Sequence, residues 1–287
     1  MAVWRSREAN VSYHAFKRFS PETDTRQLGW SVQTLHMHRY RGRKSIRRLL
    51  SRLSATVNHA LMPRRCVFCS VISGPNERFV CHACLGELPW IRHSCPQCGI
   101  QLPSELAPTV CCATCQSSPP PITATVAPLE YAFPVDAAIK AYKFHRRLFF
   151  VPAFAEILMC VIDRLPNDVD ALLPVPLHRW RQMKRGYNQA TEIAKPVSTA
   201  LRLPIVTNVY RSLATPYQSG LDAHERRTNL KSAFRTKGRL AARHVLIVDD
   251  VITTGETGRQ IARLVLANGA EKVSMIAIAR AIPRAGG

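Results

Sequence analysis

No stretch of this chain is long and apolar enough to cross a bilayer. The longest candidate, Phe149 to Ile162, is interrupted by Pro152 and Glu156 and falls short of the roughly 20 residues a spanning helix needs. The N-terminal residues lack an apolar core segment followed by small residues, so no secretory signal is read there, and the expected compartment is the cytoplasm. Acidic residues are scarce. Forty Lys and Arg stand against 19 Asp and Glu, giving a formal net charge of +21. Residues 1–65 alone hold 14 basic and 3 acidic side chains, which makes nucleic acid a candidate partner, with anionic lipid and acidic proteins behind it, beside the alternative of a solvated basic tail. Cysteine is almost absent from most of the chain: nine of the ten lie between residues 66 and 115. The tenth, Cys160, sits in an apolar stretch and reads as a small buried hydrophobe.

What is present divides the chain. Residues 1–43 show no sustained period and are expected to be a disordered basic extension; Met37 stands near its end, so 1–36 is either an extension or an over-long translation start. Over 44–62, Ile46, Leu49, Leu50, Leu53, Val57 and Leu61 recur at helical spacing with arginines between them, predicting a basic amphipathic helix. The cysteine-rich segment occupies 63–117, and prolines at 119–121 mark a linker, 118–121. In 122–287, a helical stretch near Val135–Leu165 precedes a strand at 171–175, a helix at 188–201 and an apolar strand around Ile205–Tyr210. A strand at 243–249, a helix at 256–267 and a strand at 272–279 follow. Alternation of this kind predicts an α/β domain with a mostly parallel, doubly wound sheet.

Eight cysteines form four C-x-x-C pairs: Cys66 and Cys69, Cys81 and Cys84, Cys95 and Cys98, Cys112 and Cys115. Two thiolates spaced by two residues reach one ion from a tight turn, and two such turns complete the tetrahedral set that structural zinc takes. Two four-cysteine zinc sites are expected, either as successive ribbons or cross-braced; Cys111 is an alternative to Cys112, and His82 and His93 are surplus to the ligand count.

The most specific segment is His244 to Gly258, in which an apolar strand runs into Asp249 and Asp250 and then a turn, Thr253-Thr254-Gly255-Glu256-Thr257, opening a helix. Backbone N–H groups and threonine hydroxyls at a helix N-terminus suit a phosphate, Gly255 allows close approach, and ionised carboxylates accept from ribose hydroxyls or hold Mg2+. This arrangement matches the phosphoribosyl diphosphate signature of type I phosphoribosyltransferases.

With the cysteine pairs upstream, the chain resembles the ComF (ComFC) family of competence-related phosphoribosyltransferase-like proteins over about residues 60–280. Further support comes from Leu173–His178 with Lys184-Arg185-Gly186-Tyr187-Asn188-Gln189, from Thr215–Leu221 with Arg226–Leu230 and Phe234, and from Ile139–Phe144. Around 145–147 the family often has a glycine-containing turn, where this chain has His-Arg-Arg. The resemblance implies a type I phosphoribosyltransferase fold behind a small zinc-ribbon domain. It implies a pyrophosphate loop over 175–188, using Lys184, Arg185 and Gly186, and a closing hood over 214–230 with Gln218, Arg226 and Asn229. It also implies catalytic roles for Asp249, Asp250 and Arg185, with Mg2+ accompanying the ligand. Single-stranded DNA, a DNA-uptake helicase and, through such partners, the inner membrane are the candidate associations. Two functions of different class fit these residues. One is a phosphoribosyltransferase acting on a nitrogen acceptor in the setting of natural transformation; the other is a DNA-binding or regulatory accessory protein that uses the fold to bind or sense phosphoribosyl diphosphate.

Overall fold

A computed structural model describes residues 64–72, 79–212 and 233–282. The predicted extension, the amphipathic helix and the hood residues Gln218, Arg226 and Asn229 lie outside the described residues.

The longest strands, β6 (His244–Ile252) and β7 (Lys272–Arg280), pair in parallel at the centre of the sheet. Strand β3 (Ala171–Pro174) flanks β6, also in parallel. Two short strands, β1 (Ala124–Val126) and β2 (Leu129–Glu130), pair in succession with β7 on the other side. The order is therefore β1/β2-β7-β6-β3, and a single parallel bridge from Ile205 to Leu172 extends it beyond β3. A parallel sheet needs both faces covered. The period of two supplies this: Leu246 and Val248 of β6 join one apolar core, and Val245 and Ile247 the other.

The first core contains α3 (Val135–His145), α4 (Phe150–Met159) and α6 (Gln189–Leu201); the second contains α7 (Glu256–Ala267). A separate antiparallel pair, β4 (Val209–Arg211) and β5 (Phe234–Thr236), packs on that second side. The ribbon segment carries two short helices, α1 (His82–Glu87) and α2 (Ala113–Ser117). It covers the sheet edge: Ile91 donates to the Pro128 carbonyl, Glu130 to that of Pro89 and Thr125 to that of Pro96. Edge groups that would otherwise be free to pair with another chain are thereby used.

Several expectations are corrected. The helical stretch 135–165 is two helices and a 3-10 turn (Ile162–Arg164), because Arg146 takes a left-handed conformation (φ 53°) and closes α3 by donating to the Ala141 carbonyl. This falls at the turn where glycine is common in the family. The expected strand 205–210 shrinks to the Ile205 bridge and β4, and the acidic pair lies inside β6 because pairing with β7 continues to Ile252. The loop 175–188 contains a helix, α5 (Arg179–Arg185), whose N-terminus is capped by His178 accepting from the Trp180 N–H. Cys160 caps α4 at its C-terminus and is exposed, not buried.

Candidate functional site

The carboxyl ends of β3 and β6 gather three of the sequence-predicted segments. Asp250 is buried, with 6 % of its surface exposed, and pairs with Lys143 of α3 at 2.7 Å. Asp249, half-buried, accepts the Asp250 N–H at 2.8 Å. Burial, reinforced by the adjacent Asp250 charge, pushes the Asp249 carboxyl well above the ordinary carboxylate range, against the opposing pull of the Asp250 N–H and Lys143. An unliganded site of this kind holds negative charge at a cost, which a cation or a set of hydroxyl donors would relieve.

Beyond the pair, Gly255 adopts φ 78° as the residue before α7, and the Thr254 hydroxyl accepts from the Glu256 N–H at 3.3 Å. Arg259 donates to the Thr254 carbonyl at 3.1 Å. Helix α7 reaches β7 closely at Gly258, where an added Cβ would lie 2.6 Å from the Met275 sulfur. The first-turn N–H groups of a helix lack intrahelical partners, so the turn presents donors toward solvent at the sheet's carboxyl end.

The Lys184–Gln189 element packs against α3. Arg185 lies over the Phe144 ring at 5.4 Å, and Gly186 (φ 85°) ends α5 in a left-handed turn. The Tyr187 hydroxyl donates to the Tyr142 carbonyl, and the Tyr142 hydroxyl to that of Gln189 at 2.9 Å. Asn188 donates to the Val175 carbonyl at 3.0 Å while capping α6, tying together the two ends of the segment 175–188. Arg146 adds a bond to the Lys184 carbonyl at 3.2 Å. The motif therefore fixes the backbone of the loop onto α3, and α3 in turn delivers Lys143 to Asp250. Lys143 lies within the Ile139–Phe144 segment, and a lysine four residues after Ile139 is the one signal the sequence offers for its role.

The cysteines form two clusters, Cys66/Cys69/Cys81/Cys84 and Cys95/Cys98/Cys112/Cys115, with all ligand atoms of each within 4.8 Å of one another. The pairing is that of successive ribbons, and Cys112, not Cys111, is the member. A tetrahedral zinc with Zn–S of about 2.3 Å requires sulfurs about 3.8 Å apart. The Cys69–Cys81 and Cys98–Cys112 sulfurs lie at 3.6 and 3.7 Å. Backbone N–H groups point at the sulfurs: Cys81 to Cys66 at 3.4 Å and Cys112 to Cys95 at 3.3 Å. The Cys84 thiol beside Cys66, helped by such N–H groups, lowers the Cys66 thiol to about 4. All-thiolate sets of this spacing fit structural zinc in both clusters.

A third arrangement has a different meaning. At the opposite end of β6, His244 contacts Asp168 through Nδ1 at 2.8 Å and Ser274 through Nε2 at 2.9 Å. It has the composition of a nucleophilic triad, but Ser274 is 0 % exposed and no substrate can reach it. The trio joins β6, β7 and the loop before β3.

A parallel sheet bearing an acidic pair and a phosphate-type turn at its carboxyl end, edged by two four-cysteine clusters, defines a phosphoribosyltransferase-type domain with a double zinc ribbon. A family model described as the double zinc ribbon domain matches residues 57–116. DNA utilization protein YhgH of Escherichia coli (strain K12) is 33% identical over 227 residues, 77% of this chain and 99% of that protein. Competence protein F of Haemophilus influenzae is 31% identical over 229 residues, 76% and 97% of the two chains, and competence protein ComFC of Bacillus subtilis 26% over 216 residues, 72% and 85%. The chain belongs to the ComF family of competence and DNA-utilization proteins. Among solved structures, the allosteric regulatory enzyme of purine biosynthesis aligns with a TM-score of 0.30 and 17% identity, over 44% of this chain and 25% of that one. Purine phosphoribosyltransferase from Pyrococcus horikoshii Ot3 gives 0.26 and 17%, over 51% and 91%. Scores at this level carry no weight; the fold assignment rests on strand order, the β6–turn–α7 unit and the ribbon. No helix among the described residues is long and apolar enough to cross a membrane.

Proposed function

We propose that the carboxyl end of β6 binds phosphoribosyl diphosphate with Mg2+. The observation that carries this reading is the buried Asp250, paired with Lys143, beside Asp249 and directly before a phosphate-type turn. Asp249 and Asp250 accept from the ribose hydroxyls, Thr253 to Thr257 take the 5′-phosphate, and Lys184, Arg185 and Gly186 face the pyrophosphate. Asp249 and Asp250 are the residues that would hold Mg2+ or its waters, and the ion would supply charge neutralisation to the pyrophosphate leaving group. Lys143 supplies a positive charge beside Asp250 in the free protein and is available to a phosphate oxygen once ligand arrives. Transfer to a nitrogen acceptor is the reaction this arrangement serves, in the setting of DNA use that the relatives' names describe. Calorimetry tests the reading: wild type binds phosphoribosyl diphosphate with Mg2+, and Asp249→Asn with Asp250→Asn together lose binding. No binding by the folded, zinc-loaded wild type would overturn it.

One surface favours a second activity, single-strand binding. Helix α5 carries Trp180 and Met183, 65 % and 66 % exposed, among Arg179, Arg181 and Lys184. Residues three apart share a helix face, and base stacking on such a ring is worth about 1–3 kcal/mol. Trp180→Ala is expected to weaken binding of a short DNA single strand about tenfold, measured by fluorescence anisotropy; unchanged affinity removes this reading.

A further inference from the structure

Arg280, the last residue of β7, is 4 % exposed and has no carboxylate partner among the described residues. Its Nε donates to the Cys98 carbonyl at 3.0 Å. Its Nη1 donates to the Ile252 and Ala281 carbonyls, each at 3.1 Å, and to the Thr253 carbonyl. One side chain therefore spans the second cysteine cluster and the phosphate-type turn. A crevice lined by Gln97, Cys98, Ile252 and Gly255 follows the same junction.

A buried guanidinium without an acidic partner is normally expensive. Here the compensation is close by, since four thiolates around a divalent ion carry a net charge of about −2. The bonds at the other end set the turn. In a planar trans peptide the C=O and the following N–H point to opposite sides. Arg280 holds the carbonyls of Ile252 and Thr253, and Arg259 holds that of Thr254. The N–H groups of Thr253, Thr254 and Gly255 are thereby turned away from the two guanidinium groups, as a concave anion-binding backbone requires.

We propose that Arg280 is a positioning residue that makes the order of the 252–257 turn depend on the metal-filled second ribbon. Loss of zinc from Cys95/Cys98/Cys112/Cys115 releases the Cys98 carbonyl and the charge that balances Arg280, and the turn loses its preset donors. The coupling holds in the free protein; its consequence for phosphoribosyl diphosphate rests on the binding reading above.

Hydrogen exchange with mass spectrometry on the full zinc-loaded chain tests it without ligand. Arg280→Met and Cys112→Ser are each expected to speed exchange of the bonded amides that frame the turn, Glu256, Arg259 and Ala281, at least tenfold while leaving 245–248 protected. The double variant should be no faster than either single one, because both remove the same link. Unchanged exchange in Arg280→Met, or multiplied effects in the double variant, would overturn the proposal. Should Arg280→Met fail to fold, Arg280→Lys, which keeps the charge with a single nitrogen, is expected to give a smaller rise confined to the same amides; no rise there overturns it equally. In parallel, calorimetry should show Arg280→Met binding phosphoribosyl diphosphate with Mg2+ at least tenfold more weakly than wild type. If wild type binds none of it but the exchange coupling is present, the positioning role stands and only the ligand assignment fails.

Discussion

The two cysteine clusters have the same ligands and nearly the same local geometry, yet they are built into the molecule differently. In each, the residue after the second cysteine is left-handed, Ser70 at φ 62° and Gly99 at φ 68°. The first cluster is continuous with an apolar core: Cys66, Val80, Cys81, Cys84 and Leu88 share it with α3 and α4, and Phe68 meets Phe150 with ring centroids 6.4 Å apart. Glu156 of α4 accepts the Phe79 N–H at 3.0 Å. The second cluster belongs to neither apolar core and is joined to the domain by polar links, Thr125 to the Pro96 and Gln97 carbonyls and Arg280 to Cys98. Apolar contact stabilises without direction, whereas hydrogen bonds transmit orientation. The first ribbon is thus a component of the fold, and the second is placed to influence the site. Among the described residues, 64–72 and 79–116 form no apolar cluster of their own.

That contrast is broken most forcefully by removing one ligand from each cluster. Cys84→Ser is expected to cost more than about 5 kcal/mol and to abolish the cooperative transition of the whole domain, because zinc binding to such sites is folding free energy. Cys115→Ser should leave a cooperative, lower transition with the parallel sheet intact. Circular dichroism melts of the two variants check this, and equal losses would erase the distinction.

The acidic pair offers the next test. With its folded value raised to about 8 by burial and Asp250, Asp249 favours the fold when protonated. That contribution is complete below the ordinary carboxylate value near 4 and is lost as pH rises through the raised one. Asp249→Asn should therefore raise the melting temperature of the unliganded protein by several degrees at pH 9 and hardly change it at pH 4. A uniform shift at both pH values would contradict the assignment.

The smallest effects come from the two left-handed positions. Ser70→Gly removes a disfavoured conformation and should stabilise by about 0.5–1 kcal/mol. Gly99→Ala should destabilise by about 1–2 kcal/mol, since a left-handed alanine is strained and its Cβ would sit 3.1 Å from the Thr125 methyl. Urea titrations resolve both, and like signs would show that the clusters tolerate side chains for reasons other than backbone geometry.

What could be read from the sequence was local. The C-x-x-C pairs bring their ligands together through single turns, and the strand–acid–turn–helix unit needs only consecutive residues, so both clusters and the 256–267 helix emerge where expected. The elements that were missed depend on distant partners or on few residues. Strands β1 and β2 have three and two residues, too short for a period to register, and exist because β7 and the ribbon flank them. Lys143 and Arg280 act across 107 and 182 residues of sequence, at Asp250 and Cys98, and nothing near either one announces its partner. Helix α5 was hidden because a histidine is an unusual cap.

The central claim is that one ligand site is assembled from the turn after β6, the end of α3 and the Lys184–Asn188 segment. Hydrogen exchange of the wild type with and without phosphoribosyl diphosphate and Mg2+ tests it most directly. The account predicts added protection in 252–257, 141–146 and 184–188 together; protection confined to other segments, or none at saturating ligand, would contradict it.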